Sequence, residues 1–172
     1  MKKAIVFSFF LTFLFSISTI QAQDFKSAVG LRFGSPLSVS YKFFMNETNA
    51  IEVFAGTKGY RNNTAFGNLG WRWYSISGAY QIHKPLSIGD IDGLQYYYGA
   101  GASAYFWTFD FDTDSNNTTF GLQLYGGVSY TFSEKPINIS VDWVPTYFFN
   151  GYVSGFGAGY GSLSVRYILS RD

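Results

Sequence analysis

The sequence predicts a closed, antiparallel, up-and-down β-barrel of eight membrane-crossing strands, and three observations carry that prediction. Charged residues are scarce and aromatic residues abundant. No segment beyond the first twenty-two residues could cross a bilayer as a helix. Apolar and polar residues then alternate with a period of two in one stretch after another.

Charged residues make up 13% of the chain, against roughly a quarter in soluble domains. Aromatics reach 22%, with 14 Tyr, 19 Phe and 4 Trp. The uncharged stretch from Trp143 to Val165 is interrupted by Pro145, Asn150 and many Gly and Ser residues, so it is a poor helix. In lipid every backbone hydrogen bond has to be satisfied internally, which only helices and closed barrels achieve. The barrel is what remains.

The alternation is explicit. Leu37, Val39, Tyr41 and Phe43 alternate with Ser38, Ser40 and Lys42. Ile137, Ile139, Val141 and Trp143 alternate with Asn138, Ser140 and Asp142. Leu163, Val165, Tyr167 and Leu169 alternate with Ser162, Ser164 and Arg166, and Phe120, Leu122 and Leu124 with Gly121 and Gln123. Such a period marks strands with two unlike faces. It predicts strands at 27–34, 37–45, 49–58, 70–82, 94–107, 118–132, 137–147 and 158–169. Several reach the nine to eleven residues that a tilted crossing needs. Turns at 45–48, 84–93 and 133–136 then lie on the periplasmic side. The segments 59–69, 108–117 and 148–157 become outer loops. A soluble barrel should carry many Lys and Glu on its polar face, whereas here that face is mostly Ser, Gly, Gln and Tyr. Tyr and Trp also gather near strand ends, as aromatic girdles do.

The start of the chain is a separate matter. Met1, Lys2 and Lys3 precede an apolar run from Ala4 to Ile17, and Ala22 is a small residue at a cleavage position. This is the layout of a secretory signal peptide over residues 1–22, with the barrel domain at 23–172. Leaving out Lys2 and Lys3 reduces twelve basic residues to ten against eleven acids, a net charge of −1. That balance gives no electrostatic basis for binding nucleic acid. The absence of Cys excludes a disulfide framework, cysteine catalysis and a lipidated cysteine.

The segments Ile137-Asn-Ile-Ser-Val-Asp-Trp-Val-Pro145, Leu163-Ser-Val-Arg-Tyr167 and Tyr80-Gln-Ile-His-Lys-Pro85 give the chain from residue 23 onward its family likeness. It resembles the small bacterial outer-membrane β-barrel proteins of the OmpX type and the OmpA membrane domain. The resemblance implies an outer-membrane location and insertion by the barrel-assembly machinery, with lipid and lipopolysaccharide as surroundings. It says little about activity. Such chains often end on an aromatic residue, whereas this one continues past Tyr167 to Ser170, Arg171 and Asp172.

Alternation assigns Arg32, Lys42, Glu52, Asp142 and Arg166 to the lumen. Counting from the chain turns places all five at one height in the periplasmic half, with Asp142 beside Arg166 and Lys42 beside Glu52. The favoured reading is mutual neutralisation inside a filled lumen, since buried charges need partners and eight strands enclose only side chains. The rival is an ion-conducting constriction with a cationic bias. Gly99 and Gly101 read as small lumen positions that relieve crowding from Tyr97 and Tyr105.

Enzymatic readings find little support. A lipid-modifying barrel needs a His close to a Ser and an orienting acid near the outer leaflet. The sole His, His83, ends the fourth strand at the periplasmic rim, where an ordinary polar residue is the expectation. Asp110, Asp112 and Asp114 fail as an EF-hand because Ser115 and Gly121 stand where Gly and Glu are required. A looser calcium or magnesium site shared with lipopolysaccharide phosphates is the weak alternative to a solvated loop. Gly155, Gly157, Gly159 and Gly161 lack the Lys and helix of a phosphate-binding loop. No cofactor is indicated. The outer aromatics Tyr60, Phe109, Phe111, Phe148, Phe149 and Tyr152 are candidates for binding a surface protein or glycan. The reading is therefore a non-enzymatic barrel serving envelope integrity or surface interaction, with a narrow pore as first rival.

Overall fold

The computed structural model describes residues 25–64, 67–88, 91–109 and 118–171. Ten strands close one antiparallel ring: β1 (Ser27–Gly34), β2 (Leu37–Phe44), β3 (Asn49–Thr64), β4 (Gly67–Pro85), β5 (Leu94–Phe109), β6 (Thr118–Thr131), β7 (Ile137–Trp143), β8 (Thr146–Phe149), β9 (Gly155–Gly157) and β10 (Gly161–Ser170). Each strand from β1 to β6 pairs with the next, β6 pairs with both β7 and β8, and β10 lies between β7 and β1. The ring has eight members, because β7 with β8, and β9 with β10, are each one barrel strand interrupted once. It is an eight-stranded antiparallel barrel.

Both interruptions have local causes. Pro145 has no N–H to give to the ladder, so β7 breaks there although Leu124 N still donates to Pro145 O at 3.0 Å. On the facing strand, Val144 N donates to Tyr160 O and Thr146 is paired with Gly157. One residue thus opposes two, Ala158 and Gly159, which is a β-bulge. The Trp143 indole N–H pins it by donating to Ala158 O at 2.6 Å.

The two faces follow the alternation. One row of paired outward residues reads Val165, Leu31, Val39, Ala55, Ile76, Ala104 and Phe120 around the ring. Leu31, Val39, Ile76, Val165 and Phe120 are all solvent-accessible in the isolated chain, as are most large apolar side chains on this face. A continuous apolar belt of this size suits lipid and not water. The inward positions carry the buried polar and charged groups instead.

At one end the connections are short; at the other, β3 and β4 extend past the predicted strand limits as a hairpin whose backbone pairs Thr64 with Gly67. Much of the expected loop 59–69 is therefore strand. β5 likewise runs to Phe109, and β7–β8 to Phe149. Strands of 16 and 19 residues exceed what a bilayer crossing requires.

Candidate functional site

The lumen is filled in layers. At the short-turn end, Phe25, Ala28, Phe44, Ala50 and Ile168 form an apolar floor. Phe25 meets Phe44 edge-on with centroids 5.1 Å apart, Phe44 meets His83 at 4.9 Å, and His83 stacks on Tyr97 at 4.7 Å. His83 is therefore buried within the barrel and not an ordinary polar residue at a rim. Its ring nitrogens are engaged by Gln95 at 3.0 Å and Gln81 at 3.4 Å.

Above the floor lies the ionic layer, which brings together Arg32, Lys42, Glu52, Asp142 and Arg166. Glu52 is the hub and is fully buried. Its Oε1 accepts from Arg166 Nη2 at 2.6 Å and Arg32 Nη1 at 3.1 Å. Its Oε2 accepts from Gln81 Nε2 at 3.0 Å and faces Lys42 Nζ at 3.5 Å. Asp142 receives Arg32 Nη2 at 3.2 Å, the Tyr97 hydroxyl at 2.9 Å and the Ser162 hydroxyl at 2.9 Å. Arg166 completes its bonding at Ser140 Oγ, 2.7 Å, and Asn138 Oδ1, 3.3 Å. Arg32 also lies over the Phe54 ring at 4.4 Å. The expected pairing of Asp142 with Arg166 is corrected: Asp142 takes Arg32, and Arg166 crosses to Glu52. Asp142 is in register with Ser162 and Arg166 with Asn138, so the two sit at different heights.

Two glycines make the long reaches feasible. Gly30 stands in one row between Arg166 and Ser40, and a Cβ there would lie 2.7 Å from Arg166 Cγ. Gly127 stands between Tyr97 and Asp142, and a Cβ there would lie 2.6 Å from Tyr97 Cζ. The sequence singled out Gly99 and Gly101 instead, whose added Cβ would chiefly meet neighbouring strands, and at 101 the Tyr125 ring at 3.1 Å.

Toward the long-hairpin end the lumen turns aromatic. Phe54 and Tyr125 pack with Val144, and Trp73, Tyr105 and Phe148 form the next cluster. Phe148, expected on a loop surface, is 4% exposed and contacts Tyr105 and Tyr160, each with centroids 5.4 Å away. It is inside because it continues the inward parity of β7 through Thr146. A cavity of only about 20 Å³ separates this cluster from Arg32. That is room for about one water molecule.

At the mouth, Tyr60 stacks on Trp71 at 6.5 Å, and Trp71 and Trp73 each approach Trp107 at 5.9 Å. Tyr152 joins Trp107 at 5.2 Å. Tyr60 and Tyr152 remain more than half exposed. Phe149 sits on the outer face, stacked on Phe120 at 6.2 Å, and so belongs to the apolar belt. The Phe109 side chain and Phe111, Asp110, Asp112 and Asp114 lie outside the described residues. Among the described residues no group of three or more His, Cys, Asp or Glu side chains could hold a metal ion.

This architecture has a counterpart of known structure. The crystal structure of Neisserial surface protein A (NspA) superposes with a TM-score of 0.59 at 18% identity, covering 82% of this chain and 92% of that one. The likeness is one of fold. It shows an outer-membrane-type eight-stranded β-barrel. No protein-family model matches the chain, and no curated protein matches it by sequence.

Proposed function

We propose that residues 1–22 are a cleaved signal peptide and that the remainder sits in a bacterial outer membrane as a non-conducting, non-enzymatic barrel. Its contribution is made at the outer rim, through envelope integrity and surface interaction. The carrying observation is the sealed lumen, in which apolar floor, ionic layer and aromatic cluster follow one another with little empty space. A continuous water path needs room that these side chains occupy. The short-turn end faces the periplasm and the long hairpins face outward, with lipid and lipopolysaccharide around the belt. Insertion would go through the barrel-assembly machinery. The mouth aromatics Tyr60, Trp71, Trp107 and Tyr152 offer flat apolar faces suited to a surface protein or glycan. His83 is held by two glutamines on the floor, far from any outer-leaflet substrate, which supports the non-enzymatic reading.

Conductance of the refolded protein in planar bilayers tests this. Demonstrable insertion without discrete current steps is the expected result. Discrete steps whose ion selectivity inverts on charge reversal at Asp142 or Arg166 would restore the pore.

A further inference from the structure

The outward face of β4 carries no charged side chain between Arg72 and Lys84; Tyr74, Ile76, Gly78, Tyr80 and Ile82 fill the interval. The two cations are twelve residues apart. That is about 40 Å along a strand and, at the usual tilt, about 30 Å across the bilayer, the thickness of its hydrocarbon core. Arg72 therefore stands at one membrane–water interface and Lys84 at the other.

At the Arg72 interface the outer wall is hollowed. A groove of about 700 Å³ is lined on its outward side by Thr57 and Gly59 of β3, Gly70, Arg72 and Tyr74 of β4, and Thr108 of β5. Register sets Gly59, Arg72 and Thr108 side by side in one row, with Thr57 beside Tyr74 in the next. Packing does not require glycine at 59. A Cβ there would come no closer than 3.3 Å to Trp71 O and 3.6 Å to the Arg72 stem. The bare floor leaves room for something other than protein. One row further toward the belt come Ala55, Ile76 and Ala104.

The position and the chemistry narrow the occupant. A groove on the lipid-facing side, at the interface, is filled from the membrane. The Arg72 guanidinium is exposed, and its planar fork matches the oxygens of a phosphate. The Thr57 hydroxyl donates to Trp73 O at 3.0 Å, so toward the groove it offers an acceptor, and Thr108 adds an exposed hydroxyl. With the Tyr74 ring alongside, such groups suit a sugar. A phosphate alone is far smaller than the groove, whose volume falls in the range of about 300–1,000 Å³ typical of small-molecule sites.

We propose that this groove binds the phosphorylated sugar headgroup of a glycolipid of the outer leaflet, with Arg72 on the phosphate and the acyl chains running down over Ala55, Ile76 and Ala104. The assignment rests on the orientation proposed above, long hairpins outward.

Native mass spectrometry tests the site, with the barrel refolded in detergent and offered bisphosphorylated lipid A or the same lipid stripped of its phosphates. One retained copy of the phosphorylated lipid is expected, and about fivefold less retention of the stripped one. Arg72→Gln should lower retention about fivefold, and so should Gly59→Val, which fills the floor and keeps every charge. Equal retention of the two lipids, or full retention in either variant, would overturn the site. Orientation has its own reporter: the chain has no Cys, and Ser154 is exposed, so Ser154→Cys should react with a membrane-impermeant maleimide on intact cells. Labelling only after lysis would overturn the outward orientation and the outer-leaflet ligand with it. Labelled cells without lipid A retention would overturn the site alone.

Discussion

Glu52 meets three cations and Asp142 meets one, and that asymmetry ranks the consequences of removing each. Glu52→Ala leaves Arg32, Lys42 and Arg166 facing one another in a dry layer. Removing one partner of a buried ion pair costs about 3–5 kcal/mol, and here two guanidiniums and an ammonium lose the same partner. Asp142→Ala leaves Arg32 Nη1 still bonded to Glu52, and removes the acceptor of Arg32 Nη2 and of the Tyr97 and Ser162 hydroxyls. Urea unfolding of the two variants in detergent should therefore show both destabilised and Glu52→Ala the more so. Equal losses would contradict the hub assignment. Gly127→Ala acts by volume: the new methyl meets the Tyr97 ring and the facing backbone, and overpacking of this kind costs about 1–3 kcal/mol. A Gly127→Ala barrel as stable as the parent would mean that Tyr97 does not cross that row.

The last strand closes the barrel and then secures itself. Beyond Ser170, the Arg171 guanidinium donates to Phe132 O, Ser133 O and Lys135 O at 2.7, 2.9 and 2.8 Å. Those carbonyls belong to the turn before β7, which is otherwise held by backbone hydrogen bonds from Phe132 N to Ile137 O, Ile137 N to Lys135 O and Ile168 N to Pro136 O. The Arg171 bonds are exposed, so their loss should leave global stability nearly unchanged and loosen the turn alone. Arg171→Ala should speed amide exchange at residues 132–137 while the β3–β4 amides stay protected. Unchanged exchange in that turn would show the contacts to be dispensable. At the other end, β7 tolerates Pro145 because the strand loses only one ladder bond there, and the bulge at Ala158 and Gly159 absorbs the misfit.

Across the whole barrel, the ionic layer is shielded from solvent by the floor below and the aromatic cluster above. Salt shortens the Debye length from about 10 Å at 0.1 M to about 3 Å at 1 M, yet acts on exposed charges far more than on buried ones. The unfolding midpoint in gluconate should accordingly not fall between those concentrations. A marked fall would mean that water and ions reach Glu52, and with it that the lumen is open.

The division between what sequence and structure each settle follows from the range of the interactions. Alternation is local: each residue's parity decides whether it faces lipid or lumen, and the sequence alone placed Arg32, Lys42, Glu52, Asp142 and Arg166 on the inside. The same parity carried one step further would have turned Phe148 inward, had the strand not been ended at residue 147. Pairing among the charges was not legible, because strands in a barrel are tilted and their register is sheared. Counting residues from the turns puts Asp142 level with Arg166, whereas the slanted rows set Asp142 against Ser162 and lead from it through Gly127 and Tyr97 to His83. The lone His gave no sign of burial for the same reason: only closure of the ring sets Phe44 and Tyr97 against it. Which face a residue takes is written in its neighbours along the chain; which partner it meets is decided by the shear that closes the barrel.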